Sequence, residues 1–392
     1  MPEYLHPGVF IEETSDRPHG IAGVPTATAG FVGFATRGAV DTPITVESIS
    51  EYEAAFGKIS AVKPLSSSVE AYFLNGGTKA VIVCAGLTQP SGRGRRAPDD
   101  LIGTAETKTG LNALSRSRDR LGLLVIPDAA FFSASQCAQV ANAAASFAEA
   151  QGIFHILDIP NAVASKGHDA AVQWAASSAA RSKNVAIYHP WLMGAGGGRA
   201  GAKRRLMPPS AIVAGIYARL DQAHGVWKAP AGRDAATINI SDVAADVTDA
   251  DAEKLQSASI NAIRRIAGTG VVLWGARTFA ADDDTDWRYV NIRRLALFIE
   301  NSIVDGLSWV VFEPNGEVLW AQIRLEISSF LHTAWRAGAF QGARPQEAYF
   351  VRCDATTMTS DDINRGRIIV MIGFAPVKPA EFLILRIEFS IT

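Results

Sequence analysis

The chain has 392 residues, 48% hydrophobic and 19% charged, which is ample material for packed cores and unlike the composition of a disordered chain. Its net charge of -2 and isoelectric point near 6.4 argue against a nucleic-acid binder, which needs a basic face. The same balance suits a surface that meets many neighbours without long-range self-repulsion.

Cys84, Cys137 and Cys353 lie far apart with no CxxC spacing. They are expected as buried free thiols in a reducing compartment, not as a disulfide framework or a zinc site. The opening MPEYLHPGVFIEE is acidic and lacks the apolar core of a secretory signal. No run of about 18 apolar residues offers a membrane-spanning helix. Folding in the cytoplasm is the expectation.

The first 25 residues read as an extended arm. Pro2, Pro7, Pro18 and Pro25, with Gly8, Gly20 and Gly23, exclude a helix, and Val9-Phe10-Ile11 forms a short extended segment before Glu12 and Glu13. A compact part begins at Thr26, where small and β-prone residues through Phe34 alternate as in a strand. Ala80 to Ala85 is a continuous apolar run, consistent with a buried strand. Residues 26–98 are expected to form a β-rich part of the core.

From about residue 100 apolar runs alternate with helical segments. The runs are Leu123–Ile126, Phe154–Asp158, Val185–Tyr188 and Val271–Trp274; the helices are Ser135–Gln151, Asp169–Arg181 and Ser210–Gln222. Strand, helix, strand, helix over residues 99–275 predicts a parallel sheet covered by helices. Gly194–Arg205 reads as a flexible basic loop, and Asp282-Asp283-Asp284 lies in another loop.

Residues 276–380 read as α+β. Two amphipathic helices are expected, from about Tyr289 to Val304 and from about Val318 to Ala337. A strand Trp309–Phe312 is expected between them, ended by the turn Glu313-Pro314-Asn315-Gly316, and another strand over Ile368–Gly373. The final segment alternates strictly: Leu383, Leu385, Ile387, Phe389 and Ile391 face one way, Arg386, Glu388, Ser390 and Thr392 the other. Such a strand pairs either within its own domain or with the sheet edge of a neighbouring chain.

No reactive constellation stands out. The glycine-rich loop misses the phosphate-binding spacing, because Ala202 stands where the lysine is needed and no Ser or Thr follows Lys203. The seven histidines form no HExxH motif and no close pair, and no GxSxG elbow is present. The three aspartates lack the spaced oxygen ligands of a calcium loop. Trp191, Trp227, Trp274, Trp287, Trp309, Trp320 and Trp335 are scattered through apolar runs and turns, as packing or interface anchors are.

An ordered set of motifs resembles the contractile tail sheath family of phages, R-type pyocins and extracellular injection particles. The resemblance runs almost end to end. It takes in Pro7-Gly8-Val9-Phe10-Ile11-Glu12-Glu13, Ala29-Gly30-Phe31-Val32-Gly33, Phe73-Leu74-Asn75-Gly76-Gly77, Ile126-Pro127-Asp128, Tyr188-His189-Pro190-Trp191, Pro208-Pro209-Ser210 and Gly225–Gly232. Its densest part is Leu273–Thr278, Trp287–Asn291 and Arg293-Arg294-Leu295, followed by Phe312-Glu313-Pro314-Asn315 and Ala380-Glu381-Phe382. Ser259 departs from the pattern, which favours glycine before Ile260-Asn261.

The resemblance implies a multidomain α/β and α+β subunit: a subtilisin-like α/β layer without the catalytic triad, an α+β C-terminal domain, and extended arms at 1–25 and 381–392. It implies stacked hexameric rings around an inner tube, with arms of two subunits completing a sheet on a third. The inter-subunit strands are then Val9, Phe10, Ile11 and Glu12, and Phe382, Leu383, Ile384, Leu385, Arg386 and Ile387. The implied partners are copies of the chain, the tube protein, baseplate proteins and terminator or cap proteins, with no nucleic acid, no membrane insertion, no cofactor, no metal and no catalytic residue. A helix carrying Arg324, His332 and Arg336 is the candidate for gripping the tube; Arg293 and Arg294 are either structural or tube-facing. The alternatives are another tail or baseplate component, or a hydrolase on the same layer.

Overall fold

The computed structural model describes residues 20–60, 62–88, 97–194, 205–281 and 283–379. Strand β1 (Ala29–Ala35) is followed by β2 (Ile44–Val46), helices α1 (Ile49–Phe56) and α2 (Pro64–Leu74), and β3 (Ala80–Leu87). After α3 (Pro98–Ile102) come β4 (Leu123–Val125), α4 (Ala134–Gln151), β5 (Phe154–Asp158), α5 (Asn161–Ala164), α6 (His168–Ala176) and β6 (Val185–His189). Strands β7 (Leu192–Gly194), β8 (Arg205–Met207) and, beyond α7 (Ser210–His224), β9 (Ile240–Val243) form a small three-stranded sheet. Helix α8 (Asp249–Ser257) leads into the hairpin β10 (Ile260–Ile266) and β11 (Gly270–Leu273).

The main sheet has eight strands in the order β11-β10-β6-β5-β4-β1-β3-β2. It is parallel from β10 to β3, with antiparallel strands β11 and β2 at its edges. The period of two assigns each side chain to a layer. Ala29, Phe31 and Ala35 of β1, with Ala80, Ile82 and Cys84 of β3, enter a core shared with α2 and α7. Val32, Phe34, Val81 and Val83 enter the opposite core, shared with α3 and α4. Burial on both faces is why these strands read as continuous apolar runs.

Residues 26–98 do not form a sheet of their own. They supply β1, β2 and β3 to the same sheet as the following segment, and β1 lies between β3 and β4. Both faces of β1 are apolar, so it is stable only in the middle of a covered sheet.

Local signals set the helix ends. Ser133 caps α4 through the Gln136 N–H, Thr248 caps α8 through that of Asp251, and Gly152 closes α4 at φ 63°. Helix α6 stops at Ala176, short of the expected Arg181, where the Ser177 hydroxyl donates to the Trp174 carbonyl. Strand β10 was not expected, because Arg264 and Arg265 interrupt its apolar pattern.

A second core is built by α9 (Val290–Gly306) and α10 (Glu317–Arg336), then α11 (Pro345–Ala348), β12 (Tyr349–Arg352), α12 (Ser360–Asn364) and β13 (Met371–Phe374). The expected strand Trp309–Phe312 is not formed. Ser308–Val310 is a 3-10 turn, and Phe312 stands fully exposed at φ 77°. Val310 and Glu313 donate to carbonyls three residues back, so local turns satisfy this backbone without a strand partner. The strand expected over Ile368–Gly373 starts three residues later, at Met371, and ends at Phe374.

Candidate assembly surfaces

Groups that resemble catalytic parts are locked into packing. At the carboxyl end of β5, Asp158 accepts from the Ser210 backbone N–H at 2.9 Å and from its hydroxyl at 2.5 Å. Burial pushes the Asp158 carboxyl up to about 7 in spite of these bonds. Ser210 is fully buried and donates directly to a carboxylate, with no histidine hydrogen-bonded to it among the described residues. His155 is directed to the Leu124 carbonyl at 3.0 Å, and burial lowers it to about 4. His168 and His189, which the sequence does not pair, meet at 3.1 Å; burial and then the neighbouring His168 lower His189 to about 3. Among the described residues no group of three His, Cys, Asp or Glu side chains could hold a metal.

The three cysteines are buried and free. Trp191 is 2% exposed, stacks edge-on against Phe131, and donates its indole N–H to the Ile159 carbonyl at 2.8 Å. The Gly194–Arg205 loop lies largely outside the described residues, as does Asp282.

Helix α9 is fastened to the main sheet by two adjacent arginines. Arg294 pairs with Asp221 of α7 and donates to the Thr26 carbonyl at 3.1 Å. Arg293 donates to Asn184 Oδ1 at 2.7 Å, pairs with Glu300, and lies 4.9 Å from the Trp287 ring centre. Both side chains are buried, so they join two cores and present nothing to a partner.

Helix α10 has a continuous exposed stripe: Val318, Gln322, Leu325, Ser329, Thr333 and Arg336. Its other side, with Leu319, Ile323, Ile327, Phe330 and Leu331, is core. The candidate residues divide accordingly. Arg324 pairs with Glu317 at 2.7 Å and donates to the Cys353 carbonyl, and the hydrogen bond to Glu317 raises its pKa. His332 is partly buried 3.3 Å from the Tyr349 hydroxyl and against Trp335. Arg336 is exposed in the last turn. The arm residues Val9–Glu12 and Phe382–Ile387 lie outside the described residues.

Strands β12 and β13 form a two-stranded antiparallel sheet, with no further strand on either outer edge among the described residues. Tyr349, Val351, Ile372 and Phe374 pack onto the second core. On the opposite face the Phe350 ring lies across Gly373, where a Cβ would come within 2.2 Å of it. A two-stranded sheet with open edges is a surface onto which an extended chain can add.

Residues 122–279 match the family described as phage tail sheath protein central domain, and residues 282–390 match the phage tail sheath C-terminal domain. The helical sheath of the anti-feeding prophage, solved in its contracted state, is 31% identical, with a TM-score of 0.76 over 97% of this chain and 98% of that one. The chain belongs to the contractile tail sheath family. A sheath-family likeness also extends to a chain of the six-fold-symmetrised baseplate of the anti-feeding prophage, 30% identical with a TM-score of 0.75 over 99% of this chain and 100% of that one. The tail sheath protein of Vibrio phage KVP40 is 28% identical over 185 residues, 47% of this chain, and the match spans only 26% of that longer protein. Within the sheath fold, Ser259 sits at φ 57°, which explains physically why glycine is favoured there.

Proposed function

We propose that this chain is the structural subunit of a contractile sheath. It polymerises as stacked hexameric rings around an inner tube, is held in a metastable extended state, and contracts to drive the tube through a target membrane. The observation that carries this reading is the end-to-end likeness to a sheath caught contracted. The likeness to a chain of a six-fold-symmetrised assembly supports the ring symmetry. Copies of the chain, the tube protein, baseplate proteins and terminator or cap proteins are its partners. It is made in the bacterial cytoplasm and resides in a phage tail or a released particle.

The main sheet acts as a subtilisin-like layer that carries shape and not chemistry, in keeping with the direct Ser210–Asp158 bond. The arms 1–25 and 381–392 add strands to the open edges of the β12–β13 sheet of neighbouring copies, and the described part from residue 276 onward forms the domain that receives them. These strands act as hinges that keep neighbours attached while subunits rotate into a better-packed lattice. Small gains per subunit add over many copies, so no nucleotide is required. The exposed stripe of α10, ending at Arg336, faces the tube, while Arg324 and His332 hold the helix on its own domain.

Deletion of 381–392 tests the arm reading. The variant should fold with the parent's circular dichroism spectrum and sediment as a small species where the parent forms sheaths. Sheaths of normal length from the deletion variant would refute it.

A further inference from the structure

Beside the edge hairpin a groove of about 850 Å³ runs between β10, α8 and the Trp227–Gly232 turn. Trp274, 46% exposed, stands in its wall. Asn291 lines it too, although it is only 3% exposed, and it spends both amide protons on the carbonyls of Trp227 at 2.9 Å and Val377 at 3.1 Å. Its Oδ1 is buried and receives no hydrogen bond among the described residues. A buried acceptor without a donor is costly to keep, so it points to a donor that the groove receives.

Val377, Lys378 and Pro379, the last described residues, line the same groove. The segment that follows, 380–392, presents an apolar row to one side and Arg386 and Glu388 to the other. The groove offers an exposed indole for the first and both signs of charge, such as Lys378 and Glu253, for the second.

We infer that in the unassembled subunit this groove holds the chain's own segment 380–392, with a backbone N–H of the segment donating to Asn291 Oδ1. Assembly then begins when the segment leaves for a neighbouring copy. The inference rests on the arm reading above. The tether at Pro379 favours the chain's own segment over that of a second copy, because a short tether gives an effective concentration in the millimolar range. Storage of this kind keeps an apolar strand from pairing before a neighbour is in place.

The test uses the full chain carrying Trp274→Cys and Phe382→Cys. Phe382 is three residues beyond Pro379, within about 10 Å of chain, and the native cysteines are buried and do not compete. Under mild oxidation in dilute solution most chains should form an internal disulfide, remain monomeric, and regain assembly on reduction. Glu253→Cys with Leu385→Cys, at an exposed position of α8, gives an independent second pair should the first disturb the fold. No disulfide in either pair would overturn the proposal, as would disulfides formed only between chains, which would seat a second copy's segment in the groove. If the 381–392 deletion abolishes assembly while no internal disulfide forms, the arm reading stands and the storage groove falls. If the deletion variant assembles normally, the arm reading itself fails.

Discussion

Arg294 and Asp221 form an ion pair closed to solvent, with Nη2 and Oδ2 2.6 Å apart and side chains 3% and 8% exposed. Thr26 completes it, its hydroxyl donating to Asp221 at 2.6 Å, and the guanidinium lies 4.7 Å from the Tyr217 ring centre. The pair joins the C-terminal helix α9 to α7 and to the approach to β1. Removing one partner leaves an uncompensated buried charge, so Arg294→Met should cost about 3–5 kcal/mol of stability. Combining it with Asp221→Asn should recover part of that loss in chemical denaturation. A single variant as stable as the parent would show that the pair does not hold the two cores together.

Ser259 gives a prediction of opposite sign. At φ 57° a side chain is strained and glycine is not. Ser259→Gly should therefore stabilise the chain by about 1 kcal/mol, raising the thermal midpoint, whereas Ser259→Val should lower it.

Asp158 makes stability depend on pH in an unusual direction. Burial raises its pKa in the folded chain to about 7 from an ordinary 3.8. Between those values the unfolded chain has released the proton while the folded chain keeps it, so this group's contribution to stability falls as pH rises from 4 to 7 and is constant above. His155 and His189 act oppositely. Their folded values near 4 and 3 lie below the ordinary 6.5, so their contribution is present above 6.5 and is lost as pH falls below it. Asp158→Asn isolates the first effect. Its stability relative to the parent should improve steadily from pH 4 to pH 7 in urea titrations, and a constant difference would contradict the assignment.

Trp191 anchors the end of β6 on Ile159 and Phe131. Trp191→Ala should cost about 3–5 kcal/mol, and Trp191→Phe less, since an aromatic ring remains against Phe131 while the indole hydrogen bond and part of the buried volume are lost. Denaturation midpoints of the two variants measure the difference.

The inner strands were legible in the sequence because a strand covered on both faces is apolar along most of its length. Phe154–Asp158 and Ala80–Ala85 follow from that burial. The hairpin strand β10 was hidden because Arg264 and Arg265 reach solvent near the sheet edge and break the run. Trp309–Phe312 has strand composition, yet it connects two helices of one core and finds its hydrogen bonds locally. Helices α9 and α10 were readable from their apolar stripes, but the stripe could not distinguish the polar positions. Arg293 and Arg294 face Asn184 and Asp221, and Arg324 faces Glu317 and Cys353. Those partners lie between 7 and 109 residues away in sequence, and no local pattern announces them. The His168–His189 contact and the orphaned Asn291 carbonyl are likewise tertiary facts.

The most direct test of the account is negative-stain electron microscopy of the purified full chain, alone and co-expressed with its tube protein. The account predicts hollow cylinders with regular cross-striations in at least one of the two preparations. Monodisperse small particles in both would contradict a sheath subunit.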